Sequence, residues 1–151
     1  MKVRARTEVM IFHHSLSDLS NLDNIRFWHK TKGWHDCGYH FVVELDGNWN
    51  KGRDMKYVGA HSFGRNGNSV GVCICGDLHE HEPSCDQLEA CQEIYHVVCR
   101  AYQKSLKVEF HRPHIFNLFE MHNYQVFNAC PGSRMDRADF MEIVKRGDPY
   151  V

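Results

Sequence analysis

Two kinds of hydrophobic periodicity alternate along this chain, and the alternation restricts its fold more than any other feature. Apolar runs typical of buried strands occupy Glu8 to Phe12, Tyr39 to Leu45 and Ser69 to Cys75. Apolar residues with helical spacing follow the last of these strands, most clearly from Leu88 to Tyr102. Strands that alternate with helices predict an α/β fold, in which helices cover a central sheet.

Capping and turn signals predict where several of these elements begin and end. Ser20 is a candidate N-cap for a first helix that Gly33 ends, and Leu22, Ile25 and Trp28 are predicted to share the buried face of that helix. Ser84 and Gln87 form a capping-box pattern at the start of the longest helix. Asp46-Gly47 is a hairpin turn signal, which predicts a short second strand near the following tryptophan.

The last third of the chain predicts one more strand and one more helix. Ile115 to Met121 has strand character and ends at His122, and Ala138 to Lys145 forms a final helix after the Pro131-Gly132 turn. The 151 residues contain no linker, repeat or low-complexity tract. One domain spanning residues 1–151 is therefore expected.

Charge and hydropathy exclude some partners. A formal net charge of -1 offers no electrostatic footprint for nucleic acid or for an anionic membrane surface. No apolar run is long enough to span a membrane, and the basic residues 1–6 precede only the short run Val9–Phe12, so neither membrane insertion nor a secretion signal is expected. Seven cysteines, an odd number, argue against a disulfide framework and for synthesis in a reducing cytosol.

Histidine is the residue type that points to chemistry, with 12 copies in the chain. His13 follows the first predicted strand, His122 follows a late one, and Cys130 lies eight residues further along, before a Pro-Gly turn. Catalytic zinc takes three such nitrogen or sulfur ligands and keeps a fourth position open. Spacing alone does not distinguish this metal site from hydrogen-bonded structural histidines.

Two rival chemistries use the same residue types. Cys73, Cys75, His79 and His81 form C-x-C and H-x-H pairs that could hold a second zinc, although cysteines in a buried strand are usually inert. Cys130 could instead be the nucleophile of a cysteine-histidine hydrolase. Chelator sensitivity would separate a zinc hydrolase from a thiol hydrolase.

Six segments occur in the order found in phage N-acetylmuramoyl-L-alanine amidases, and the chain resembles this zinc family, which also includes animal peptidoglycan-recognition proteins. The most specific segment is GWHDCGYHF, and the six together are residues 11–15, 33–41, 52–54, 58–61, 68–73 and 122–131. The resemblance extends from the first strand to the last helix. It implies a single α/β domain with a central mixed β-sheet flanked by helices.

The resemblance also implies roles for individual residues. The three ligands of one zinc ion fall on His13, His122 and Cys130, and the family's active-site tyrosine falls on Tyr39. Two residues before the cysteine, Asn128 stands where phage members carry a lysine that stabilises the developing oxyanion. An asparagine N–H can also donate into an oxyanion, so Asn128 is predicted to serve there.

The surroundings of the expected site include four further positions. His61 and Arg53 are predicted to line the substrate groove. Because neighbouring strand residues point to opposite faces, His14 is expected to face away from the metal, and His40 to face away from Tyr39 into the core.

The implied activity is hydrolysis of the amide bond between the lactyl group of N-acetylmuramic acid and the L-alanine of the stem peptide, which lyses bacteria. Peptidoglycan is the expected partner, and the protein is expected to act as a monomer. Accumulation in the cytoplasm of an infected host is expected, with release to the wall through a holin-type lesion. The alternative is a non-catalytic protein that binds peptidoglycan or regulates a phage RNA polymerase.

Overall fold

A five-stranded mixed sheet forms the centre of the molecule, for which the computed structural model describes residues 1–111 and 130–151. The strand order is β3-β2-β4-β1-β5, and the strands are β1 (Val9–His14), β2 (Phe41–Val43), β3 (Trp49–Lys51), β4 (Ser69–Ile74) and β5 (Lys107–Phe110). β1 runs parallel to both β4 and β5, β2 runs parallel to β4, and β3 pairs antiparallel with β2. The predicted α/β class with a mixed sheet is confirmed.

In the described residues, three helices accompany the sheet: α1 (Leu22–Thr31), α2 (Cys85–Tyr102) and α3 (Arg137–Lys145). The predicted capping box of α2 is present, since the Ser84 side chain accepts from the Gln87 N–H and the Gln87 side chain accepts from the Ser84 N–H. The predicted N-cap of α1 was wrong by one residue. Asn21 caps α1, because the Ser20 hydroxyl instead donates to the Ser17 carbonyl.

One face of the sheet, which we call the apolar face, packs against α2 and α3. Phe12 of β1 has no exposed surface, and its ring meets that of Phe140 edge-on at 4.8 Å. Burying a side chain of this size stabilises a fold by about 1.5–3 kcal/mol. Alternate residues of four strands supply this face: Met10, Phe12, Phe41, Val43, Val70, Val72, Ile74, Val108 and Phe110.

Helix α1 covers part of the opposite face. Leu22 and Ile25 of α1 pack there against Val42 and Cys73. Trp28 was predicted to share this buried side of the helix, but it is 41% exposed. At 100° per residue, Trp28 lies about 90° around the helix from the centre of the buried stripe.

None of the seven cysteines, all of which lie among the described residues, forms a disulfide bond. None of the helices in residues 1–111 and 130–151 is both long and apolar enough to cross a bilayer.

Candidate metal centre

Three potential metal ligands meet at one edge of the sheet. His13 is the second-last residue of β1, and His111 directly follows β5, the strand that runs parallel beside β1. The third member is Cys130, whose Sγ lies 3.9 Å from His13 Nδ1. One ligand atom from each of these residues lies within 4.8 Å of the other two, and we call this set the His-His-Cys cluster.

The cluster fits a zinc ion in donor type and in charge. Two imidazole nitrogens and one sulfur form a donor set that zinc accepts, and three protein ligands leave the fourth tetrahedral position open. With metal-ligand bonds of roughly 2.0–2.3 Å, tetrahedral donors stand about 3.3–3.6 Å apart. Cys130 Sγ and His13 Nδ1, at 3.9 Å, need to approach by only a few tenths of an ångström, and the pairs that include His111 lie within 4.8 Å. Burial, followed by the nearby His61 and His111, holds the pKa of His13 well below its usual 6.5, so its ring is neutral, as metal binding requires.

His111 is the member of the cluster that sequence reasoning missed. The signal was present in the alternation of β5, where Val108 and Phe110 are buried on the apolar face, so that His111 belongs to the opposite side. The apolar pattern predicts the late strand at Ile115–Met121, which lies outside the described residues, and it does not single out the strand that ends before His111. His122 and Asn128 also lie outside the described residues, and their roles remain predictions.

Tyr39, the predicted active-site tyrosine, lies beside the cluster. Its ring centroid is 5.1 Å from that of His13. Burial, and then the nearby Cys73 and Cys130 thiols, raises the pKa of Tyr39 well above its usual 10. The phenol therefore keeps its proton at neutral pH and can act as a hydrogen-bond donor.

His29, near the end of α1, supports Tyr39 and was not singled out from the sequence. Its ring packs against those of Trp34 and Tyr39, with centroids 4.6 and 5.5 Å away, and its Nδ1 accepts a 2.7 Å hydrogen bond from the Gly38 N–H. Burial, with smaller contributions from Lys32 and Arg53, lowers the pKa of His29 to about 4. A neutral His29 thus holds the backbone that leads into Tyr39.

His61 contacts the cluster directly. Its Nδ1 lies 2.9 Å from His13 Nε2, the ring nitrogen that points away from Cys130. The Asn66 side-chain oxygen accepts from the backbone N–H groups of His61 and Ser62, which holds the loop in place. The predicted contact of His61 with substrate stays a prediction.

Comparison with known proteins identifies the family of this chain. The family model described as N-acetylmuramoyl-L-alanine amidase matches residues 4–133. The chain belongs to this amidase family. An endolysin of Enterobacteria phage K11 is 36% identical over 109 residues, which cover 66% of this chain and 72% of the relative.

Other members of the amidase family resemble the chain over different lengths. An endolysin of Enterobacteria phage T3 is 44% identical over 82 residues, which cover 52% of this chain, and the match spans about half of that relative, 54%. The solved structure of the endolysin amidase LysCS from Clostridium intestinale shares the fold, with a TM-score of 0.76 at 21% identity. That superposition covers 92% of this chain and 84% of LysCS.

Arg53 does not belong to the His-His-Cys cluster and binds backbone groups instead. Its side chain is buried and donates to the backbone carbonyls of Cys37, Val58 and Asp36, at 2.9, 2.8 and 3.3 Å. These bonds join the segment before Tyr39 to a loop further along the chain. They give Arg53 a structural role, and the predicted contact with substrate stays untested.

Strand alternation predicts that His14 faces away from the metal and that His40 faces away from Tyr39, and both side chains bind backbone groups of other segments. His14 Nδ1 accepts from the Leu78 N–H at 3.1 Å. His40 Nδ1 accepts from the Gly71 N–H at 2.9 Å, and its Nε2 lies 2.8 Å from the Tyr57 carbonyl. Each ring thus accepts a hydrogen bond from a backbone N–H, and neither residue belongs to the His-His-Cys cluster.

The rival second zinc site does not form. Cys73 and Cys75 are fully buried beside α1, whereas His81 lies partly exposed with its Nε2 2.7 Å from Asp18 Oδ1. Within the described part of the chain, the His-His-Cys cluster is the one group that brings three potential ligand atoms within metal-binding range.

Proposed function

We propose that this chain is a zinc-dependent N-acetylmuramoyl-L-alanine amidase. Its substrate is bacterial peptidoglycan, in which it hydrolyses the amide bond between the lactyl group of N-acetylmuramic acid and the L-alanine of the stem peptide. The observation that carries this proposal is the His-His-Cys cluster beside Tyr39, in a chain of the amidase family. The phage endolysins among its relatives support a role in lysis.

The proposed ligands of one zinc ion are His13, His111 and Cys130. Zinc bound there supplies a water whose pKa is lowered to roughly 7 and a Lewis acid that polarises the scissile carbonyl. A fourth protein ligand would close the position that catalysis needs. His111 and His122 are therefore alternatives for one ligand position, and the closeness of His111 to the other two ligands favours His111.

Tyr39 is the residue proposed to stabilise the transition state. Its ring lies beside that of His13, and its protonated hydroxyl would donate to the carbonyl oxygen as negative charge develops there. The pKa shift of Tyr39 is useful in this role, because an ionised phenolate could not donate. Asn128 remains a predicted second donor.

Product analysis with metal control is the decisive experiment. Purified peptidoglycan digested by the protein should release stem peptides that begin with L-alanine, as identified by mass spectrometry. A chelator should stop the release, and added zinc should restore it. Release that continues in the zinc-free protein would instead support a Cys130 thiol hydrolase, and products cut within the glycan would overturn the proposed bond.

A matched pair of variants decides between the two candidate histidines. His111→Ala should lose bound zinc and peptide release, whereas His122→Ala should keep its zinc. Zinc content is measured by atomic absorption after dialysis, and folding by circular dichroism. The opposite result would return the ligand position to His122.

The cellular context follows from the same proposal. As an endolysin, the protein acts on the wall after release from the host cell. The holin-type route, a monomeric state and any contact with a phage RNA polymerase remain predictions from the sequence.

A further inference from the structure

A chain of hydrogen bonds leads away from the cluster through His61. His13 Nε2 lies 2.9 Å from His61 Nδ1, and His61 Nε2 lies 3.2 Å from the Ser69 hydroxyl. The Ser69 hydroxyl donates at 2.7 Å to the backbone carbonyl of Arg65. We call this series, from His13 through His61 and Ser69 to Arg65, the His61 relay.

The carbonyl at the far end of the relay determines which atom donates and which accepts in each of its hydrogen bonds. The Arg65 carbonyl can only accept, so the Ser69 proton is committed to it and the Ser69 oxygen must accept from His61 Nε2. A neutral His61 then has its lone pair on Nδ1, where it accepts from His13 Nε2. This leaves the His13 lone pair on Nδ1, the atom that lies 3.9 Å from Cys130 Sγ.

A neutral imidazole carries a single N–H, so that one ring nitrogen donates and the other accepts. His61 therefore transmits to His13 the direction that Ser69 imposes.

Two glycines leave the space in which the His61 ring lies. A Cβ added at Gly71, in the middle of β4, would come within 2.5 Å of the His61 ring, and one added at Gly59 would come within 2.7 Å. Contacts below 3.0 Å require one of the groups to move. The glycines of two segments that carry the family resemblance, 58–61 and 68–73, thus fit the ring of His61.

The loop that carries the relay is also tied to the strand that precedes His111. Arg65 forms a 2.7 Å ion pair with Glu109 of β5, in addition to accepting the Ser69 hydrogen bond. Ser69 is fully buried as the first residue of β4. The relay therefore ends on a well-anchored carbonyl.

We propose that His61 is a metal-positioning residue, which holds His13 in the tautomer and ring orientation that present Nδ1 to the metal. This inference rests on the metal site of the proposed function, and it assigns His61 to a metal ligand rather than to the substrate. Partners that orient a ligating histidine in this way typically change metal affinity by roughly 10- to 100-fold when they are removed.

Zinc affinity, measured by competition with a chromophoric chelator, tests the proposal without using activity. His61→Ala should weaken zinc binding by roughly 10- to 100-fold. His61→Asn should recover much of the loss, because the asparagine Oδ1 can accept from His13 Nε2 in place of the imidazole Nδ1. Ser69→Ala removes only the far end of the relay and should give a smaller loss.

Two matched controls separate the relay from a general loss of histidine or serine. His35→Ala removes an exposed histidine, and Ser62→Ala removes a buried serine beside His61 that lies outside the relay. Both variants should bind zinc as the unaltered protein does. Circular dichroism confirms that each variant is folded before its affinity is compared.

A second measurement needs neither zinc nor substrate. Nitrogen-15 imidazole chemical shifts of the zinc-free protein should show His13 protonated on Nε2, and Ser69→Ala should shift His13 towards a mixture of tautomers. His13 protonated on Nδ1 in the zinc-free protein would overturn the proposal. Because this readout precedes metal binding, it stands apart from any failure of the proposed amidase activity.

One outcome of the zinc-affinity measurement would also contradict the proposed role of His61. A His61→Ala protein that keeps full zinc affinity but loses peptide release would place His61 in the substrate groove, and the positioning role would be wrong.

Discussion

Phe12 and His13 are neighbours in β1 and are almost equally buried, at 0% and 1% exposure, yet they belong to two different kinds of interior. Phe12 lies on the apolar face, where its neighbours are other apolar side chains. His13 lies on the opposite side, where its ring nitrogens face Cys130 and His61. We call this second side the metal face, formed by His13, Tyr39, His61, His111 and Cys130.

The two faces hold their residues by different physics. Apolar burial is non-directional and roughly proportional to area, so the apolar face depends on volume and shape. A buried polar group costs free energy unless it is hydrogen-bonded, so the metal face depends on individual atoms and their protons. The metal face also needs glycine at positions 59 and 71, where an added Cβ would come within 2.7 and 2.5 Å of the His61 ring.

Replacing Cys130 is expected to have the largest effect and to be confined to the metal face. Cys130→Ser removes the proposed thiolate ligand, so zinc retention and peptide release should be lost together. Stability of the zinc-free protein should change little, because Cys130 is only half-buried. Zinc content, peptide release and thermal unfolding are measured beside Cys85→Ser, which replaces an exposed cysteine; a fully active Cys130→Ser protein would contradict the metal assignment.

Truncating Phe12 is the corresponding change on the apolar face. Phe12→Ala should lower the free energy of unfolding by about 3–5 kcal/mol, because it leaves a cavity under Phe140. Zinc affinity of the protein that remains folded should be retained. Urea unfolding is compared with Phe63→Ala, whose fully exposed ring should contribute only about 0.5 kcal/mol. Equal losses for the two phenylalanines would show that the apolar face is not tightly packed.

Removing the Tyr39 hydroxyl tests whether the metal face acts through single atoms. Tyr39→Phe keeps the ring against His13 but removes the proposed oxyanion donor, so kcat should fall by about 10²–10³-fold. Zinc affinity and stability should stay close to those of the unaltered protein. The control is Tyr150→Phe, at an exposed position. Unchanged kcat for Tyr39→Phe would remove Tyr39 from the proposed mechanism.

The Asp18–His81 pair provides the smallest expected effect, because it is exposed and belongs to neither face. Hydrogen bonding to Asp18 raises the pKa of His81, and hydrogen bonding from His81 and the Asp77 N–H lowers the pKa of Asp18. Because the pKa of His81 is raised, this residue contributes its full stability below pH 6.5, its ordinary pKa. The contribution is lost as the pH rises through the raised pKa. Because the pKa of Asp18 is lowered, this carboxyl contributes its full stability above pH 3.8, its ordinary pKa. The contribution is lost as the pH falls through the lowered pKa.

Asp18→Asn should therefore destabilise the protein only at pH values between the lowered pKa of Asp18 and the raised pKa of His81. The loss should be less than about 1 kcal/mol, as is usual for exposed ion pairs. Urea unfolding at pH 3, 5 and 9 would reveal the window. A loss of the same size at pH 9 would show that charge pairing is not its cause.

Much of the fold was predictable because its signals are local. The strand at Ser69, the capping box of Ser84 and Gln87 and the long helix that follows all depend on residues a few positions apart. The errors arose where two local candidates competed. Asn21 rather than Ser20 caps α1, because the Ser20 hydroxyl donates to the Ser17 carbonyl. Trp28 lies at the edge of the buried stripe of the same helix and is partly exposed.

The linear pattern of residues was sufficient to assign His13 and His14 to opposite faces of β1, since side chains alternate along any strand. The motifs around Tyr39 were sufficient to indicate the amidase family. Neither could show that His111 reaches His13, because that contact depends on β5 pairing in parallel beside β1, so that residues distant in the chain share one edge of the sheet. The His61 relay has the same origin: hydrogen bonds depend on distance and direction in space, which only the tertiary structure supplies.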